Sequence, residues 1–153
     1  MHPAPPPALP IIYYFYTQPK PPMKTLGNII WLLFGGIIIA LEYLIASIVL
    51  IITIIGIPFG IQTLKLAGLA LWPFGKEVVH VQGASGCLST LMNVLWILVG
   101  GIWISITHLL FGVLLAITII GIPFAQQHFK LAGLALTPFG KDIRVRRLRD
   151  GGM

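Results

Sequence analysis

Charge is the scarcest thing in this sequence. Only 9% of its 153 residues are Asp, Glu, Lys or Arg, where a soluble domain carries about 25%. So thin a charged shell excludes an ordinary water-soluble globule. With 57% hydrophobic residues and a mean hydropathy of +0.95, a bilayer protein is the expected class. Acids are scarcer still: Glu42, Glu77, Asp142 and Asp150 stand against ten Lys and Arg. A single cysteine, Cys87, excludes an intramolecular disulfide and a multi-cysteine zinc site. No P-loop or GxGxxG motif occurs. His80 and His128 do not share a metal-ligand spacing. Four acids, four histidines and one cysteine spread in this way assemble no nucleophilic or acid–base constellation. No catalytic residue, cofactor or metal site is therefore expected, and no small-molecule substrate is identifiable.

What charge there is, is lopsided. Arg144, Arg146, Arg147 and Arg149 follow a long apolar stretch, as the cytoplasmic tail of a membrane protein does under the positive-inside rule. Nucleic-acid binding would need a basic face on a soluble scaffold, so no nucleic-acid partner is expected. Proline is confined as well. Eight of the twelve prolines fall in residues 1–22, which excludes a continuous helix there and predicts polyproline II or disorder. The segment IIYYFY between the proline clusters suits a membrane interface. Met23, followed at once by the repeat, is a candidate start, with residues 1–22 an upstream extension.

The chain matches itself after a shift of sixty-five residues. Asn28, Trp31, Gly35 and Gly36 fall on Asn93, Trp96, Gly100 and Gly101; TIIGIPF at 53–59 recurs at 118–124, KLAGLAL at 65–71 at 130–136, and PFGK at 73–76 at 138–141. The expected organisation is an extension (1–22), a first repeat (24–80), a linker (81–89), a second repeat (90–145) and a basic tail (146–153). The duplicated pattern N-x-x-W…GG…TIIGIPFG…K…PFGK resembles the YccF family of small bacterial inner-membrane proteins. The resemblance covers residues 24–145. It implies a duplicated domain of paired transmembrane helices in the inner membrane, and no catalytic residues.

Residues 26–59 would make one helix of about 51 Å, far longer than a hydrocarbon core of about 30 Å. Two crossings per repeat are expected, turning near ALEYL at 40–44 and SITHL at 105–109. Gly56, Pro58, Gly121 and Pro123 then mark kinks in the second limbs. Gly60 and Ala125 leave room for close helix approach. An even number of crossings places every basic residue on one side. The expected fold is thus an all-α membrane protein: four transmembrane helices as two tandem parallel hairpins, both termini cytoplasmic. The alternating runs KEVVHVQ and KDIRVRR predict a short two-stranded β pair on the cytoplasmic side.

Candidate sites follow from the few polar positions. Glu42 and His108 are either solvated at the outer turns or, if buried, an ion or proton site. Gln62 with Lys65, and Gln127 with Lys130, are candidates for lipid headgroups or an anion vestibule. Asn28 and Asn93 suit helix caps or interhelical hydrogen bonds. Two function classes remain: a structural or accessory membrane protein that binds lipid or a partner, and an oligomeric channel or transporter-like subunit. Membrane lipids and further copies of the chain are the expected partners.

Overall fold

A computed structural model describes residues 22–81 and 86–146; the proline-rich extension and the basic tail fall almost wholly outside them. The chain is mostly helical. Each repeat is a long helix, a tight turn, a shorter helix and a strand. In the first, α1 (Pro22–Trp31) continues through a π-helical segment (Leu32–Gly36) into α2 (Ile37–Ile52), and α3 (Ile57–Leu71) returns to β1 (Lys76–His80). In the second, α4 (Cys87–Trp96) continues through Ile97–Gly101 into α5 (Ile102–Ala116), and α6 (Ile122–Leu136) returns to β2 (Lys141–Val145). Cys87, placed in the linker by sequence, is the first residue of α4 and is exposed.

The hairpin turns differ from expectation. The helix runs straight through residues 40–44 and 105–109, where no Gly or Pro interrupts it, and turns at 53–56 and 118–121. Pro58 and Pro123 explain the difference. A proline inside a helix loses a hydrogen bond, but in the first turn its missing N–H is not needed. Both prolines occupy that first turn. Gly56, Pro58, Gly121 and Pro123 therefore start helices and kink none. Each long helix carries a π-helical segment, where an extra residue disrupts the ladder, and in the first the backbone kinks there, at Phe34 and Gly35. Two long helices, Lys24–Ile52 and Cys87–Ala116, are long and apolar enough to cross a membrane by length and composition.

Each hairpin is closed by the same contacts. Small residues bring its two limbs together: the Ser47 hydroxyl donates to the Gly60 carbonyl at 2.7 Å, and in the second repeat Gly112 meets the Phe129 ring. The fully buried Trp31 and Trp96 donate their indole N–H to the carbonyls of Ala70 (2.6 Å) and Ala135 (2.7 Å). At the base, the Asn28 amide both donates to the Phe74 carbonyl and accepts from the Phe74 N–H, each at 2.9 Å. Asn93 does the same to Phe139, at 3.2 and 2.9 Å. The asparagines thus clasp the PFG turns and cap no helix. Asn28→Ala strands two backbone groups. Because an unpaired buried group is costly, it should lower unfolding free energy by about 1–3 kcal/mol, read as an earlier thermal unfolding midpoint in detergent.

The two hairpins are related by an approximate two-fold axis. The strands pair antiparallel, with Val78 opposite Ile143, its own counterpart in the repeat. Val81 N–H bonds Gly140 carbonyl and Arg146 N–H bonds Gly75 carbonyl, a second matched pair. The expected β pair is therefore present. The axis also passes between Glu42 and Thr107, again counterparts, whose side chains meet at 2.9 Å.

The direction of that axis overturns the parallel arrangement expected from sequence. Phe59, close to the first hairpin's turn, packs on Phe139 at the base of the second, with ring centroids 4.9 Å apart. Its counterpart Phe124 packs on Phe74 (5.7 Å) and Phe34 (5.4 Å) at the base of the first. Hairpins pointing the same way would hold those rings roughly 20 Å apart, since some fifteen helical residues at 1.5 Å each separate their levels. The turn of each unit lies beside the base of the other. The two-fold axis crosses the helices, and the repeats are inverted with respect to helix direction.

A buried histidine pair on the repeat axis, and a basic cleft

The repeat is nearly self-identical, so its departures are informative. Tyr43 in the first unit becomes His108 in the second, and Thr63 becomes His128. The fold brings both histidines together: His108 Nδ1 and His128 Nδ1 are 3.1 Å apart, with both residues fully buried. His128 Nε2 lies 3.0 Å from the carbonyl of Phe34. A carbonyl only accepts, so His128 carries its proton on Nε2 and, when neutral, accepts at Nδ1. His108 then donates from Nδ1. Its Nε2 is left as a bare lone pair, buried and without a partner among the described residues.

The first-unit kink supplies the end of this chain. Phe34 (φ −92°, ψ 33°) and Gly35 (φ 106°) leave helical geometry, which swings the Phe34 carbonyl off the helix axis toward His128. A positive φ of that size is a glycine conformation. In the second unit Gly100 has no positive φ. There the position of His128 is taken by Thr63, whose hydroxyl bonds Gly60 carbonyl at 2.9 Å instead. The irregular kink thus occurs where an imidazole needs its carbonyl. Aromatic rings enclose the pair: Trp31 stacks on His128 at 4.2 Å, and Phe111 at 5.6 Å. Tyr43 lies 6.5 Å from His108.

Glu42 sits one residue from Tyr43. Mid-helix, it is not at an outer turn as expected; it faces Thr107 across the axis, and its Oε2 has no partner among the described residues. His108 is likewise internal. The arrangement offers a proton acceptor, His108 Nε2, at the end of a directional hydrogen-bond chain. It holds no group of three or more metal-ligating side chains among the described residues. His128 was missed as a partner because twenty residues separate it from His108. The signal that could have found it is that both histidines break the repeat.

The second polar feature is a basic cleft of about 320 Å³ between α3 and the sheet, lined by Lys65, Gly68, Lys76, Asp142 and Arg144. Lys65 Nζ lies 3.5 Å from Asp142 Oδ1, and Lys76 Nζ donates to the Gly68 carbonyl at 2.7 Å. The Ile143 backbone N–H, and after it the Lys65 charge, hold the Asp142 carboxyl below the usual carboxylate range. Partial burial lowers the ammonium pKa of Lys76, and of Lys141. Gln62 and Lys65 thus belong to one surface, but Gln62 is spoken for. Its amide donates to the carbonyls of Pro138 (2.8 Å) and Lys141 (3.0 Å), which ties α3 to the opposite PFGK turn. Gln127 makes no matching bond to a described residue, and Lys130 is exposed without an ion pair among the described residues.

The sequence comparisons agree with this duplicated plan. A family model described as the inner membrane component domain matches twice, over residues 26–76 and 91–141. The inner membrane protein YccF of Escherichia coli K12 is 33% identical over 129 residues, covering 79% of this chain and 87% of that protein. The protein of the same name from Shigella flexneri matches to the same extent. No solved structure matches significantly. With both repeats matched and a relative of this similarity covered nearly end to end, the chain belongs to the YccF family of inner membrane components.

Proposed function

We propose that the protein is a non-catalytic component of the inner membrane that holds anionic lipid headgroups in the cleft between α3 and the sheet. The observation that carries this reading is the placement of Lys65, Lys76 and Arg144 around one opening, on a molecule whose helices otherwise expose apolar side chains. Basic side chains at the edge of an apolar body bind phosphates of acidic lipids, each contributing on the order of 1 kcal/mol near such a surface. Asp142 competes for Lys65 and limits the affinity. The basic residues and both ends of the chain face the cytoplasm, as the positive-inside rule favours.

Adding phosphatidylglycerol to the detergent-purified protein should raise its unfolding temperature more than phosphatidylcholine does. The triple variant Lys65→Gln, Lys76→Gln, Arg144→Gln should lose most of that difference, and Asp142→Asn should widen it. Equal shifts with both lipids would remove the headgroup reading.

A second reading, an oligomeric channel or transporter-like subunit, is favoured by the unpartnered His108 Nε2 and Glu42 Oε2. It requires proton or ion flux through reconstituted vesicles that His108→Ala abolishes. The headgroup reading expects flux no greater than in empty vesicles.

A further inference from the structure

The long helices have the length to cross a bilayer, but something lies beside them that cannot. Three contacts spaced along α3 bind it to the sheet and its approach: Gln62 to the Lys141 carbonyl, Lys65 to Asp142, and Lys76 to the Gly68 carbonyl. The sheet therefore runs alongside the middle of α3, not below its end. It carries Lys76, Glu77, Lys141, Asp142 and Arg144, all half-buried or exposed, and among the described residues each strand pairs with only the other. Open strand edges and uncovered charges do not occur in hydrocarbon. Were the helices upright, the sheet would sit at mid-depth in the bilayer. The β1 segment would also have to carry its charges across, because the inverted repeats begin at opposite ends.

The geometry points to a different placement, resting on the membrane reading above: the helices lie along the plane of the cytoplasmic leaflet, with the two-fold axis along the membrane normal. The sheet and the basic cleft then face the headgroups, and α2 with α5 presents the apolar face to the acyl chains. On that face Ile38, Leu41, Ile45, Trp103, Ile106 and Leu110 are all exposed; Glu42, the one acid on these two helices, lies between them at the axis, where the Thr107 hydroxyl donates to it.

The hairpin turns fit the same environment. Ile55 is 87% exposed and Ile120 80%, with no charged residue in either turn. Each turn is held from within by the same bonds: the Thr53 and Thr118 hydroxyls accept from the N–H of Gly56 and Gly121, and the Thr53 and Thr118 N–H donate to the Leu50 and Leu115 carbonyls. Ile54 takes a positive φ of 62°, a position that a turn in water usually gives to glycine or asparagine. An apolar side chain is kept there despite the strain, as a turn bathed in acyl chains requires. An inverted pair placed flat sets both turns at one depth. Placed upright, it would send them to opposite surfaces.

The test uses the full chain with Cys87→Ser and one added cysteine, Ile55→Cys or Ile120→Cys, both at exposed positions. Intact cells are treated with a membrane-impermeant maleimide. The same variants, carrying an environment-sensitive fluorophore in reconstituted bilayers, are quenched by lipids bearing nitroxides at shallow and deep acyl positions. Neither turn should label from outside, and both should show the same ratio of deep to shallow quenching. Labelling of one turn in intact cells overturns the flat placement, as does shallow quenching of the two turns from opposite leaflets. Release of the protein by alkaline carbonate would sink the membrane reading itself, and this inference with it. Labelling of native Cys87 in intact cells would reverse the side on which the sheet faces.

Discussion

Trp31→Ala should be the most damaging single change in the first repeat, lowering unfolding free energy by about 3–5 kcal/mol, as large-to-small aromatic substitutions in cores do. Trp31 is fully buried and does three things at once. Its indole N–H satisfies the Ala70 carbonyl, its face stacks on His128, and its edge meets Phe74 at 6.0 Å. The first contact closes its own hairpin; the second reaches the other. Trp31→Phe separates these roles. It keeps much of the volume but leaves the Ala70 carbonyl without its donor, at a cost of about 1–3 kcal/mol. Thermal unfolding in detergent, followed by near-ultraviolet circular dichroism, should rank wild type above Phe and Phe above Ala. Equal loss for both variants would mean that the hydrogen bond, not the packing, dominates.

Gly35→Ala should cost nearly as much, while Gly100→Ala at the equivalent position should be mild. At Gly35 a methyl group meets the Phe111 ring at 2.8 Å and must also sit at φ 106°. Left-handed backbone costs a residue with a side chain about 1–2 kcal/mol, and overpacking a filled core adds about 1–3 kcal/mol. At Gly100 the φ is ordinary, and the nearest atom, on the outer edge of the Trp96 ring, lies 3.4 Å away, an ordinary contact distance. The helical propensity of alanine offsets part of any remaining crowding, by up to about 1 kcal/mol. Two substitutions identical in the repeat should therefore separate widely in unfolding temperature. A small difference would contradict the turned Phe34 carbonyl, and with it the tie to His128.

Much of this structure was open to reading in the residues. Self-identity at a shift of sixty-five residues marked the two units, and period-two alternation of charge with β-branched residues marked the strands. What failed was local and has physical causes. Proline was read as an interior kink, although in the first turn of a helix it does no harm; that error moved each turn by about a dozen residues. Glu42 was read as evidence of an aqueous turn, since an acid in an apolar run usually wants water. Here the Thr107 hydroxyl donates to one of its oxygens instead. Relative orientation was out of reach. A repeated sequence states that two units are alike, while the contacts between Phe59 and Phe139, or Gln62 and Pro138, arise from surfaces that no period in the sequence reports. The histidine pair lay between these extremes, visible only as two departures from an otherwise faithful copy.

The axis between Glu42 and Thr107 bears on how such a chain came about. A single-repeat ancestor pairing with itself would have built the same strand ladder and the same aromatic contacts, because an interface with two-fold symmetry places each residue opposite its own copy. It would also have set position 42 against its own copy, so that a glutamate there would have faced a glutamate, two like charges at one point. Joining the copies end to end removed that obligation: each half became free to diverge where the symmetric ancestor could not. Threonine opposite glutamate, and a histidine pair fed by one carbonyl rather than two, are arrangements that only a fused, asymmetric descendant can hold.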